Sequence, residues 1–149
     1  MAESFARIPD VLFAHMQAPG LVQLTTLDAA GAPFVNVISW VVACSPDVVR
    51  LVGDTRTQFM HNLAADGRVA LTVYGAGSAW TIYGAARILG AGLPGLPPTF
   101  ALAEVAGLRV YQVLFLGAVL TQEPRWEVTG SPEAAARFDA AVMAAALSY

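Results

Sequence analysis

The chain has 149 residues, of which 56% are hydrophobic and only 13% charged, with a formal net charge of −3 at pH 7. So few cations exclude a nucleic-acid surface, which needs clustered Lys and Arg to meet phosphates, and Thr, Asn, Gln, Arg, Gly and Pro interrupt every apolar run before the roughly 18 residues of a spanning helix. A charged fraction well below the about 25% of an ordinary soluble domain implies apolar surface hidden against a partner, and obligate self-association is the expectation.

The length suits one domain, residues 1–149, burying roughly 70% of its unfolded surface. A single cysteine, Cys44, excludes an internal disulfide and fits a reducing cytoplasm. Glu3, Arg7, Pro9 and Asp10 leave no room for the apolar core of a secretory signal near the start, so a cytoplasmic location is expected.

In chain order, residues 4–17 read as an amphipathic helix. Phe5, Ile8, Leu12, Phe13 and Met16 recur at helical spacing, Pro9 marks the first turn and Pro19-Gly20 the end. Residues 21–28 form a first strand, 29–33 a glycine-containing turn and 34–43 a second strand. On the second strand Phe34, Ile38, Trp40 and Val42 line one face, and Val35, Val37 and Val41 the other. A sheet with one face in water would alternate with polar residues, whereas a barrel packed against a second subunit need not. Ser45-Pro46-Asp47 turns the chain into a third strand over 48–53.

Gly53-Asp54-Thr55-Arg56-Thr57 then makes a polar turn, followed by a short helix with Phe59, Met60 and Leu63 on one face. Thr57 stands at the N-cap position. Free amides and the dipole make such a helix start a seat for a phosphate or carboxylate, although capping alone accounts for Thr57 and solvation for Arg56. Asp54 reads as a turn former through its own side-chain to backbone bond. Residues 68–74 and 79–89 are strands joined by a tight turn at 75–78, 90–98 is a loop, and 99–112 is a strand broken at Gly107. Ser131-Pro132-Glu133 opens a last helix with Phe138 and Val142 on its apolar face. Successive strands without crossover helices exclude a doubly wound parallel sheet and favour a closed antiparallel barrel.

The order of strand, Thr/Ser turn, short helix with Asn62-Leu63, and then Asp66-Gly67-Arg68-Val69-Ala70-Leu71 resembles the pyridoxamine 5′-phosphate oxidase-like, FMN-binding split-barrel family, over about residues 21–89. The resemblance implies a mainly β (α+β) fold: a six-stranded antiparallel split β-barrel with a few short helices, homodimeric, with its cofactor site between subunits. It places an FMN ring across the second and third strands, at Asn36, Ile38, Ser39, Trp40, Val52 and Gly53, and the phosphate at the turn Asp54, Thr55, Arg56 and Thr57 with its backbone amides. Trp80 and Trp126 are the matching stacking candidates from the other chain, and each reads equally as core. Two departures stand out. The family's phosphate-binding lysine falls on Phe59, with Gln58 at the basic position before it, and the arginine opening its flavin segment falls on Asn36.

Catalytic side chains are scarce. There are two histidines, His15 and His61, no metal-ligand spacing, and no nucleophile elbow, P-loop or dinucleotide fingerprint. His61 reads as a solvent-facing residue of the short helix. A flavin would supply its own redox chemistry, leaving the protein to position it. The leading expectation is therefore a flavin (FMN)-binding oxidoreductase acting on a small molecule, with no catalytic residue assigned. The alternative is a non-enzymatic or differently loaded split barrel that binds haem, a deazaflavin or another apolar ligand, which Phe59 in place of the lysine favours.

Overall fold

Short apolar strands punctuated by glycine, proline and aspartate turns pair only with antiparallel neighbours, and the result is one twisted sheet. The computed structural model describes residues 3–149. In chain order these are β1 (Glu3–Phe5), α1 (Asp10–His15), β2 (Val22–Leu27), β3 (Pro33–Ile38), β4 (Val41–Ser45), β5 (Val48–Asp54), α2 (Gln58–Ala65), β6 (Arg68–Gly75), β7 (Ser78–Ala91), β8 (Phe100–Gln112) and α3 (Pro132–Ser148). The sheet has eight strands in the order β3-β2-β6-β7-β8-β5-β4, with β1 added on β8.

The mainly β, antiparallel split-barrel architecture expected from the sequence is present, with eight strands in place of six and without closure. β3 and β4 follow one another in the chain yet form the two ends of the sheet path. Val52 N donates to Trp40 O at 3.1 Å, which carries the β4–β5 ladder one residue into the bend between β3 and β4.

Four local readings change. The helix expected over residues 4–17 divides into β1 and α1, with Pro9 at the α1 N-cap. β5 pairs with β8 only over residues 100–105, so the edge of β8 beyond it is free, and Glu3, Ser4 and Phe5 pair there with Gln112, Tyr111 and Val110. The strand expected over 34–43 bends at Ser39-Trp40 into β3 and β4. The bend carries the chain from a sheet edge to a position covered on both sides: Val41 and Ala43 join the main core, and Val42 joins a second cluster beneath α3. β7 runs on to Ala91, which shortens the loop expected over 90–98. β8 is continuous, and Gly107, at φ 66°, takes up a register shift against β7.

The β6–β7 hairpin turns on Ala76-Gly77, at φ 50° and 74°. Both residues are left-handed, the backbone of a two-residue type I′ turn.

Leu12, Leu24, Leu51, Leu71, Ile82, Val105 and Val110 are buried in the main core. Between sheet and α3, Val42, Val52 and Leu102 meet Val142, Ala145 and Ala146. Beyond the part that α3 covers, this face of the sheet, away from the main core, is uncovered. One row across it runs Val35, Thr25, Ala70, Tyr83 and Arg109, and the next runs Val37, Gln23, Thr72, Thr81 and Tyr111. Val35, Val37 and Tyr83 are 50%, 63% and 46% exposed there. Among the described residues no helix is long and apolar enough to cross a membrane.

Candidate functional site

β5 delivers Val52, Gly53 and Asp54 to the mouth of the split, and the bend at Ser39-Trp40 lies beside them. Gly53 is demanded by packing. A β-carbon there would stand 2.8 Å from Phe59 Cε2, Phe59 Cζ and Met60 Cγ, so only glycine lets the apolar face of α2 lie on β5. Phe59, the residue at the family lysine position, is thereby a core side chain, 8% exposed. Val52 is buried in the cluster under α3.

Trp40 turns the same way. Its indole Nε1 donates to Asp139 Oδ1 at 2.8 Å, and its ring packs at 5.6 Å from Phe100 and 6.3 Å from Phe138. Its ring belongs to the α3 contact, and its backbone carbonyl is what reaches Val52. Ile38 packs against the main core, and Ser39 is half-buried. Asn36, opposite Leu24 on β3, holds its Oδ1 buried with no hydrogen-bond partner within the chain.

The turn before α2 satisfies itself. Asp54 Oδ1 accepts from the Arg56 amide at 2.9 Å and from Arg56 Nε at 3.0 Å, and Arg56 Nη2 donates to Asp54 Oδ2 at 2.6 Å. These hydrogen bonds and the positive charge beside it hold the Asp54 carboxyl at about 2, below its ordinary 3.8. Thr55 donates to Thr99 O through both its hydroxyl, at 2.8 Å, and its amide, at 2.9 Å. Thr57 occupies the N-cap as expected, but its hydroxyl makes no cap. It donates to Asp54 O at 2.7 Å instead. Arg56, a phosphate candidate that solvation alone would also explain, is 75% exposed with its guanidinium paired to Asp54.

Along α2, Gln58 Nε2 donates to Asn62 Oδ1 at 2.8 Å, and Asn62 Nδ2 donates to Thr26 Oγ1 at 3.0 Å. This polar chain fastens α2 to β2. His61 faces solvent, as expected. Trp80 is core: it is buried, its Nε1 donates to Gly75 O at 2.9 Å, and Phe5 lies 6.2 Å away. Trp126 is 47% exposed in the segment between β8 and α3.

The structure thus brings together the backbone of Ser39-Trp40 with Val52 and Gly53, and Asp54 through Thr57 in one closed turn. Asp139, which aims Trp40, and Thr99, which holds Thr55, were missed because each lies far along the chain from its partner. Several clefts lie elsewhere. One of about 480 Å³ on the uncovered face is lined by Thr25, Ala70, Tyr83, Gly84 and Arg109. Another of about 560 Å³ is bounded by Asp28, Gln58, His61, Asn62 and Arg68. Among the described residues no group of His, Cys, Asp and Glu could hold a metal ion.

Known structures share this architecture. A Lactobacillus delbrueckii protein named for pyridoxamine 5′-phosphate oxidase superposes with a TM-score of 0.61 at 17% identity, covering 73% of this chain and 97% of its own. A structure named F420 reductase gives 0.55 at 17% identity, covering 66% and 94%. General Stress Protein 26 from Bacillus anthracis gives 0.55 at 11% identity, covering 71% and 94%. At these identities the likeness shows the fold. No curated protein matches in sequence. The family described as pyridoxamine 5′-phosphate oxidase matches residues 8–93, more than half of the chain and including both sides of the split. On that match, with the split antiparallel sheet behind it, the chain belongs to the pyridoxamine 5′-phosphate oxidase family.

Proposed function

We propose that the protein is a flavin-binding oxidoreductase acting on a small molecule as a homodimer, with the cofactor between subunits and FMN the flavin that the family likeness implies. The family match carries this reading, because it spans every ring-side position from Asn36 to Gly53. Asn36 supports it further: a buried carbonyl oxygen with no donor in its own chain costs about 1–3 kcal/mol, and a ring N–H would supply one. The poverty of acid and base side chains fits a cofactor that brings its own chemistry.

The dimer reading is supported by the apolar face bearing Val35, Val37 and Tyr83, and by the exposed Phe115, Leu116, Val119 and Trp126 of the segment after β8. Trp126 would reach the site from the partner chain.

The phosphate end of FMN does not fit the turn as it stands. Phe59 is committed to Gly53, Arg56 to Asp54, and both threonine hydroxyls to main-chain carbonyls. The same observation favours the second reading, a split barrel loaded with haem, a deazaflavin or another apolar ligand.

The test is the visible spectrum of freshly purified protein, with mass identification of any chromophore released by heat, alongside its mass in solution. A flavin on a dimer supports the proposal. A colourless protein that takes up neither FMN nor riboflavin removes it and leaves the second reading.

A further inference from the structure

The turn between β5 and α2 carries its own anion. Asp54 is the last residue of β5, and its carboxylate lies where the chain swings into α2, accepting the Arg56 amide, Nε and Nη2. Thr57 N and Oγ1 both point back to Asp54 O, at 2.9 and 2.7 Å. Thr55 N and Oγ1 are both taken by Thr99 O. Both threonine hydroxyls and the Nε edge of Arg56 are therefore engaged inside the turn, and the one cation there already has a carboxylate partner. The neighbouring side chains add no free cation: Gln58 donates to Asn62, Phe59 is buried, and Arg68 is paired with Asp66, which leaves only the first-turn amides of α2.

We infer that Asp54 is a specificity-determining residue that bars a phosphate from this turn, so that the site takes flavin-class ligands whose side chain is uncharged where it passes Asp54. The inference rests on the flavin reading for the ring, but its content is the turn. Asp54 occupies the place of a bound anion, with the guanidinium and amide that would recognise one already closed upon it. A phosphate entering here meets the Asp54 carboxylate and competes with it for Arg56, while an uncharged ribityl chain does neither. A surface pair such as Asp54–Arg56 adds little to stability. Its effect is on which ligands are rejected.

The test uses two ligands with one ring. Riboflavin and FMN differ only in the phosphate, and each is titrated against the full chain by quenching of flavin fluorescence. The wild type is expected to bind riboflavin more tightly than FMN by about tenfold or more, and Asp54→Asn, which keeps the turn's acceptor oxygen, to shift the ratio toward FMN by about tenfold. A thermal-shift titration with inorganic phosphate gives a reading that needs no flavin, with Asp54→Asn stabilised and the wild type not. Wild-type preference for FMN overturns the inference without any variant having to fold, as does an unchanged ratio in Asp54→Asn. If neither flavin binds either protein, the flavin reading fails. The phosphate titration then decides the inference alone: a shift confined to Asp54→Asn upholds it, and equal behaviour of the two proteins overturns it.

Discussion

The ring of Phe59 lies across Gly53, with two of its carbons 2.8 Å from where a β-carbon on the glycine would stand. One contact thus explains two residues: the glycine has no room to be anything else, and the position that would carry a phosphate-binding cation is spent on packing. Gly53→Ala should destabilise the fold by about 1–3 kcal/mol through overpacking. Combining it with Phe59→Leu should cost less than the two single changes added together, since they share one clash. Urea denaturation of the wild type and the three variants measures this. Strict additivity would show that the ring moves aside freely.

Asp54 and Asp66 make the same i to i+2 pairing with Arg56 and Arg68, and both carboxyls are held at about 2, chiefly by the arginine side-chain hydrogen bonds. A carboxyl whose folded value lies below its ordinary 3.8 contributes stability above about pH 4 and loses it as pH falls through about 2. The melting-temperature difference between the wild type and Asp54→Asn, small for so exposed a pair, should accordingly be constant near neutrality and close between pH 4 and 2. A difference that persists at pH 2 would assign the aspartate's role to its shape and not its charge.

Ala76 sits at φ 50° as the first residue of the β6–β7 turn. Alanine in the left-handed region is strained by about 1–2 kcal/mol, and asparagine tolerates that region well. Ala76→Asn should raise stability by up to about 1 kcal/mol, read as a higher denaturation midpoint at unchanged slope. A loss of stability would place the turn's preference elsewhere.

Glu104 of β8 lies between Arg50 of β5, at 3.0 Å, and Arg87 of β7, at 3.1 Å, and Arg50 also donates to Ala146 O of α3 at 2.7 Å. Burial pushes the Glu104 carboxyl up, and hydrogen bonds from Arg87 and Arg50 outweigh it and hold it below its usual range. Removing the acid in Glu104→Ala leaves the largely covered Arg50 guanidinium unpaired, at a cost of about 1.5–3 kcal/mol. Because Arg50 ties down α3, the loss should appear first as faster amide exchange in that helix.

Val37 is 63% exposed on the uncovered sheet face. If that face joins two subunits, Val37→Asp should yield monomers or insoluble protein, as judged by light scattering after gel filtration. A well-folded dimer would remove the strand-patterning argument for the interface.

Many of the strands could be read in advance, because β2, β5 and β6 are bounded by turn residues and filled with β-branched ones. Ser131 capping Ala134 N and Pro132 at the first turn likewise mark α3 by local chemistry. What could not be read is non-local. β1 exists only because β8 has a free edge to fill. The bend at Trp40 sits in an unbroken apolar run and is aimed by Asp139, 99 residues on. At the candidate site the residue types of the turn from Asp54 to Thr57 were visible, and their state was not. Nothing local says that Asp54 takes the Arg56 donors, or that Thr55 is held by Thr99, 44 residues away.

The unclosed sheet has a mechanical consequence. Its two free edges, β3 and β4, are joined by Ser39 and Trp40 alone, so widening the gap at that end means rotating the backbone of those two residues. The Trp40 indole is pinned to Asp139 and wedged between Phe100 and Phe138, which fastens the pivot to the C-terminal helix. The last helix therefore holds in place the side chain of the residue at which the two edges of the sheet meet.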